Sequence, residues 1–141
     1  MKKSLILLIA LIMILITNTS CQAQLVKTIA DMPKLKENEQ KFLKKPLKVL
    51  IKEIKPNIIS VLGSPEYTSN TILGNLQFYF IDTQEINRRK NKGEKPTSIL
   101  VYLSRGESKK YPPLSSHIWT DSTLKPYENM IVERIAIIGK N

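Results

Sequence analysis

The sequence holds one cysteine, one histidine and one tryptophan among 141 residues. A single cysteine cannot close a disulfide within the chain, nor supply the paired thiolates of a structural zinc site. With only His117 beside it and carboxylates scattered singly, the ligands of a transition-metal centre are missing. No loop alternates Asp and Asn as a calcium loop does. The sequence therefore calls for no metal and no cofactor. Glycine is scarce as well, at five residues. The one in "VLGSP" has neither the lysine nor the glycine spacing of a phosphate loop, so it reads as punctuation. A bilayer-spanning run is also lacking: Leu5 to Ile16 is the longest apolar stretch at 12 residues, against about 20 for a spanning helix.

What is present starts at the N-terminus. Lys2 and Lys3 precede that apolar run, which changes abruptly to Thr17, Asn18, Thr19 and Ser20. This is the three-part layout of a secretory signal. Two cleavages fit it. A cut after Ala23 would put Cys21 and Ala23 at the small-residue positions and leave the cysteine outside the mature chain. The other possibility rests on Thr19, Ser20 and Cys21, which resemble the end of a bacterial lipoprotein signal, with Asn18 where that family usually has Leu. Relaxed signals of this type look like those of Bacteroidetes. The resemblance implies that residues 1–20 are removed and that Cys21 becomes a lipidated N-terminus carrying two or three acyl chains, palmitate among them. Each buried methylene contributes about 0.8 kcal/mol, so more than one chain makes a stable anchor. The expected address is the cell envelope, most simply the outer membrane facing the periplasm.

Without the first 20 residues the chain has 121, enough for one modest core. Loss of Lys2 and Lys3 leaves 20 basic and 12 acidic residues, a net +8. Such a balance suits nucleic acid, anionic headgroups or an acidic protein, and export argues against nucleic acid. From Lys27 to Lys55 nine lysines face Asp31, Glu37, Glu39 and Glu53, a local +5. A solvated face is the plainest use of these lysines, and a binding surface the more specific one.

The organisation expected is residues 1–20 as signal, 21–33 as a tether that partly joins the fold, and 34–141 as one domain. In "PLKVLIKEIKP" the residues Leu47, Leu50, Ile51 and Ile54 recur at helical spacing, with Lys44, Lys48, Lys52 and Lys55 on the other side. In "NIISVLGSP" Ile58, Ile59 and Leu62 also have helical spacing, which predicts a second short helix ending at Gly63 before Pro65. The period then falls to 2 in "NLQFYFID", "TSILVYLS" and "NMIVERIAIIGK". The fold class predicted is α+β: one or two N-terminal helices packed on one face of a three- or four-stranded antiparallel sheet. Two connections are long. Thr83 to Pro96 carries Arg88 and Arg89 and should form one helical turn followed by a Lys-Gly turn. Ser104 to Glu128 holds Tyr111, His117, Trp119 and Tyr127 and is the first candidate for recognition.

Groups suited to catalysis are few. His117 has no carboxylate close in sequence and reads as a loop residue. Ser122 to Lys125 matches the Ser-x-x-Lys pattern of penicillin-recognising enzymes, but with 11 serines and 18 lysines chance yields about one such match, and the companion motifs are missing. Trp119, Tyr111 and Tyr127 form an aromatic set of the kind that anchors interfaces, although Trp119 could equally cap the sheet.

An apolar helix entering "SVLGSPE", followed by the aromatic strand "LQFYFI", resembles the small outer-membrane lipoproteins of the SmpA/OmlA type and the related β-lactamase-inhibitor-like proteins. Val61, Leu62, Gly63 and Pro65 carry the match, over about residues 47–103. The resemblance implies a helix ending at Leu-Gly-x-Pro, a three-stranded sheet and an accessory role at the envelope. The expectation is a non-enzymatic, monomeric binding or scaffold module, held to the membrane by lipid on Cys21. Lys44, Lys48, Lys52, Lys55, Arg88, Arg89, Tyr111 and Trp119 are its candidate interaction residues, toward anionic headgroups or an acidic envelope protein. The alternatives are a periplasmic inhibitor or immunity protein that blocks a toxin or hydrolase and, third, a small hydrolase.

Overall fold

Four strands pair into an antiparallel meander: β1 (Ser60–Pro65), β2 (Gly74–Tyr79), β3 (Ser98–Ser104) and β4 (Ile131–Ile138), in that spatial order. The structure, a computed structural model, describes residues 24–65, 74–104, 114 and 116–139. Its helices are short: α1 (Pro33–Glu37), α2 (Leu47–Ile51), α3 (Thr83–Asn91) and α4 (Asp121–Leu124), with 3-10 turns at Ile29–Asp31 and Glu39–Lys41. The class is α+β with a four-stranded sheet.

Register assigns the two faces. Val61, Phe78, Ile99 and Ile137 align across all four strands, and Gly63, Leu76, Val101 and Ile135 form the next row. Side chains alternate along a strand, so both rows share one face. Val26, Met32, Leu35, Phe42, Leu47, Leu50 and Ile54 cover that face from the N-terminal segment, while Tyr127 and Met130 cover it from the segment before β4. Val26, Met32, Leu35, Leu47 and Leu50 are fully buried, and each such side chain contributes about 1.5–3 kcal/mol. The segment expected to be a tether thus supplies two core residues, Val26 and Met32.

The opposite face carries the row Leu62, Gln77, Leu100 and Ala136, all half-buried. At one end of this face Lys90 of α3 lies over the ring of Tyr79, 5.7 Å from its centroid. Ile86 of the same helix is fully buried there. Gln77 donates to the buried Ser98 hydroxyl at 2.8 Å, which satisfies that group.

Three elements differ from the sequence expectation. The segment predicted as a second helix, and implied as helical by the Leu-Gly-x-Pro resemblance, is the edge strand β1. Helical spacing in a run this short also fits a strand, and Ile58, Ile59 and Val61 are β-branched, which favours the extended chain once β2 offers a partner. The helix expected through Ile54 stops at Ile51. Its N-terminal flank is pulled onto β4 instead: Lys44 N–H donates to Val132 O at 2.9 Å and Leu47 N–H to Met130 O at 2.8 Å. The helical turn expected after Thr83 extends to nine residues. Asp82 caps it by accepting from the Glu85 amide at 2.8 Å, and Gly93 (φ 77°) supplies the left-handed turn that follows.

Candidate functional site

The folded body starts close to Cys21 in the chain. Gln24, the first described residue, is three positions beyond it. Val26 pairs in parallel with Ile54: its amide donates to Glu53 O at 2.9 Å, and its carbonyl accepts from Lys55 N–H at 2.8 Å. The Leu25 amide donates to the Glu53 carboxylate at 3.0 Å, and the Gln24 side chain to Lys52 O at 3.1 Å. Burial of Val26 and Ile54 explains why this short ladder forms where an isolated pair of strands would not.

Three lysines surround it. Lys27 follows Val26, Lys55 follows Ile54, and Lys52 carries the carbonyl that holds Gln24; all three side chains are exposed. Parallel pairing sets the two backbones about 5 Å apart, so Lys27 and Lys55 are neighbours. Among the described residues none of the three has a carboxylate within salt-bridge distance. Asp31 lies next to Lys27 and accepts from its amide at 3.2 Å, but its side-chain partners are others. It binds the Lys34 ammonium at 2.6 Å and accepts from the Thr28 hydroxyl at 3.0 Å and amide at 2.9 Å. These contacts, that of Lys34 foremost, hold its carboxyl down at about 2. Ile29 begins the next turn with 40% of its surface exposed.

The remaining candidates fall elsewhere. Lys44 pairs with Glu133 on β4, and the Lys48 ammonium donates to the side-chain Oδ1 of Asn129 at 2.8 Å. The predicted stripe therefore divides, its first two members reaching toward β4 and its last two flanking Gln24–Val26. Lys27 was missed because its neighbours read as tether; the apolar pair Leu25–Val26 just before it was the available signal. Arg88 and Arg89 both clasp Glu85, Arg88 through Nε and Nη2 at 2.6 and 2.7 Å and Arg89 through Nε at 2.6 Å. The two guanidinium groups, led by the Arg88 hydrogen bonds, lower the Glu85 carboxyl to about 2. That cluster belongs to α3, on the sheet face turned away from the N-terminal segment.

Trp119 lies edge-on against Phe78, centroids 5.1 Å apart and planes at 83°, half-buried beside the core. Its segment adds to the β1 edge: Val61 N–H donates to His117 O at 2.9 Å and Trp119 N–H to Ile59 O at 3.0 Å. The described half of the long loop is thus a cover for sheet edge and core. The His117 ring is exposed, with Nδ1 3.4 Å from the Val61 carbonyl, and the Ser122 hydroxyl is 2.8 Å from that of Thr120. Cys21 and Tyr111 lie outside the described residues. Among the described residues no three His, Cys, Asp or Glu side chains gather as a metal site needs, and no helix is long and apolar enough to cross a membrane. Comparison with known protein families, with curated proteins and with solved structures finds no match for this chain.

Proposed function

We propose that this protein is a lipid-anchored envelope module, tied to the membrane through Cys21, that works by binding rather than by catalysis. The observation that carries this reading is the pinning of Gln24–Val26 onto Lys52–Lys55, three residues from the cysteine. Three residues span at most about 11 Å when extended. A lipid on Cys21 therefore holds the folded body against the membrane instead of letting it swing on a long leash. An envelope accessory of the SmpA/OmlA kind is the role this reading keeps.

The test is intact mass and detergent partitioning of the mature protein, wild type beside Cys21→Ser. A lipid adduct on Cys21 and partition into detergent, both lost in the variant, are expected. An N-terminus at Gln24 in the aqueous phase would sink the proposal. The half-exposed row Leu62, Gln77, Leu100 and Ala136, beside Tyr102 stacked under Arg134 at 3.9 Å, favours a second reading as a periplasmic inhibitor or immunity protein. Recovery of one soluble enzyme, and no outer-membrane protein, on pull-down from envelope extract would select that one.

A further inference from the structure

We infer that Lys27, Lys52 and Lys55, with Ile29 beside them, form the surface by which the domain lies down on anionic lipid headgroups, so that the domain has one fixed orientation on the membrane. The inference rests on the proposed anchoring at Cys21 and adds the face that meets the bilayer.

Chain length is its first support. The three residue steps from Cys21 to Gln24 reach about 11 Å at most, close to the screening length of about 10 Å at 0.1 M salt. Groups next to Gln24 are thus held inside the range where an anionic surface attracts them. Charge complementarity is the second. Lys27, Lys52 and Lys55 are exposed and their ammonium groups lack a carboxylate partner among the described residues, Asp31 accepting from the Lys27 amide alone, whereas Lys34, Lys36 and Lys44 are each paired. The one carboxylate within this ladder, Glu53, is turned inward to the Leu25 amide. Ile29 supplies an exposed aliphatic group two residues from Lys27, where a shallow apolar contact would accompany the charges. A free acidic protein has the same charge but no tether, so the anchored lipid surface, always present at high local concentration, is the occupant. Each lysine near such a surface is worth about fivefold in population.

The experiment anchors the chain chemically, so it does not depend on processing in the cell. Every described residue lies at Gln24 or beyond, and the chain from Cys21 keeps them all. Its one thiol is coupled to a maleimide lipid in vesicles of phosphatidylcholine alone, or with about one third phosphatidylglycerol. A membrane-impermeant amine reagent then reports each lysine by mass spectrometry. Lys27, Lys52 and Lys55 should react at least threefold more slowly on the anionic vesicles, with Lys41 and Lys92 unchanged. At about 1 M salt, where screening shortens to about 3 Å, the difference should vanish. Lys52→Gln with Lys55→Gln should restore much of the reactivity of Lys27. Equal rates on both vesicles, or protection of Lys90, Lys92 and Lys95 instead, would overturn the inference. A failed lipid adduct in the native protein would overturn the anchoring alone, because here the lipid is supplied chemically.

Discussion

Two backbone positions are set by geometry that their side chains resist or could not share. Lys44 adopts φ 61°, a left-handed conformation that costs a residue with a Cβ about 1–2 kcal/mol. The turn is kept because it lets the Lys44 amide and the Lys45 carbonyl both bond Val132. Lys44→Gly should leave stability within about 0.5 kcal/mol, since relief of the strain offsets the lost exposed ion pair and the looser unfolded chain. Lys44→Val should lose about 1–2 kcal/mol in urea unfolding, because a β-branched residue tolerates this conformation worse. Equal losses for both would show that the Glu133 pair, and not the backbone, matters at this position. Gly139 is stricter. At φ 90° a Cβ there would lie 2.5 Å from the Lys95 carbonyl oxygen and 2.9 Å from the Pro96 carbonyl carbon, both backbone atoms that cannot rotate away. Gly139→Ala should therefore cost about 2–4 kcal/mol, the sum of left-handed strain and overpacking. A midpoint unchanged from wild type would contradict the close packing of β4 on the segment before β3.

At the scale of elements, the edges of the sheet decide most of what surrounds it. β1 is covered at its start by the His117–Trp119 segment, and β4 at its start by residues 44–48. Further along β4 the Ile135 amide donates to the Glu39 carboxylate at 2.7 Å. Burial disfavours the charge on Glu39, but the Lys36 ammonium and the Ile135 amide outweigh it and its pKa is lowered. Amides alternate along a strand, so the Ile137 amide points to the same open side. Glu39→Ala should cost about 1.5–3 kcal/mol, as expected for a charge-assisted bond whose donor is left partly buried. It should also raise self-association in sedimentation, because it uncovers an aliphatic edge. A monomer of unchanged stability would remove Glu39 from this role. Trp119 offers a parallel test of cover against anchor. Packed on Phe78, its replacement by Ala should lose about 2–3 kcal/mol, and by Phe roughly half of that. A surface anchor would change stability by no more than about 0.5 kcal/mol.

For the whole molecule, acid is the informative stress. Asp31 and Glu85 are held at about 2, and Glu39 and Glu133 are also lowered, Glu133 by the Lys44 ammonium and the Ser104 hydroxyl. A carboxyl whose folded pKa is depressed adds stability above its ordinary value and loses it as pH falls through the folded one. Stability should thus hold down to about pH 4.5 and decline toward pH 2, steepened by repulsion in a chain that is already strongly basic at neutral pH. Urea midpoints from pH 6 to pH 2 would check this, with Asp31→Asn combined with Glu85→Gln giving a shallower slope. A flat profile in the wild type would remove these ion pairs from the account of stability. Much of this architecture was legible along the chain. Strict alternation around Phe78, Val101 and Ile135 announced three strands, because one buried face requires period two, and Gly93 announced a turn. β1 was not legible, because Ile58, Ile59 and Leu62 have helical spacing, and only pairing of residues 60–65 with β2 overrides it. Of the candidate site, Lys52 and Lys55 could be named from sequence and Lys27 could not, since its role depends on Val26 finding Ile54 across 28 residues. Outside β1, local pattern settles what each segment can bury, namely strand or helix, apolar face or charged face. Which segments share an edge, which lysines end up adjacent and whether the tryptophan packs against the core are pairings between distant residues. They are chosen by the free energy of the assembled fold and carry no local signature.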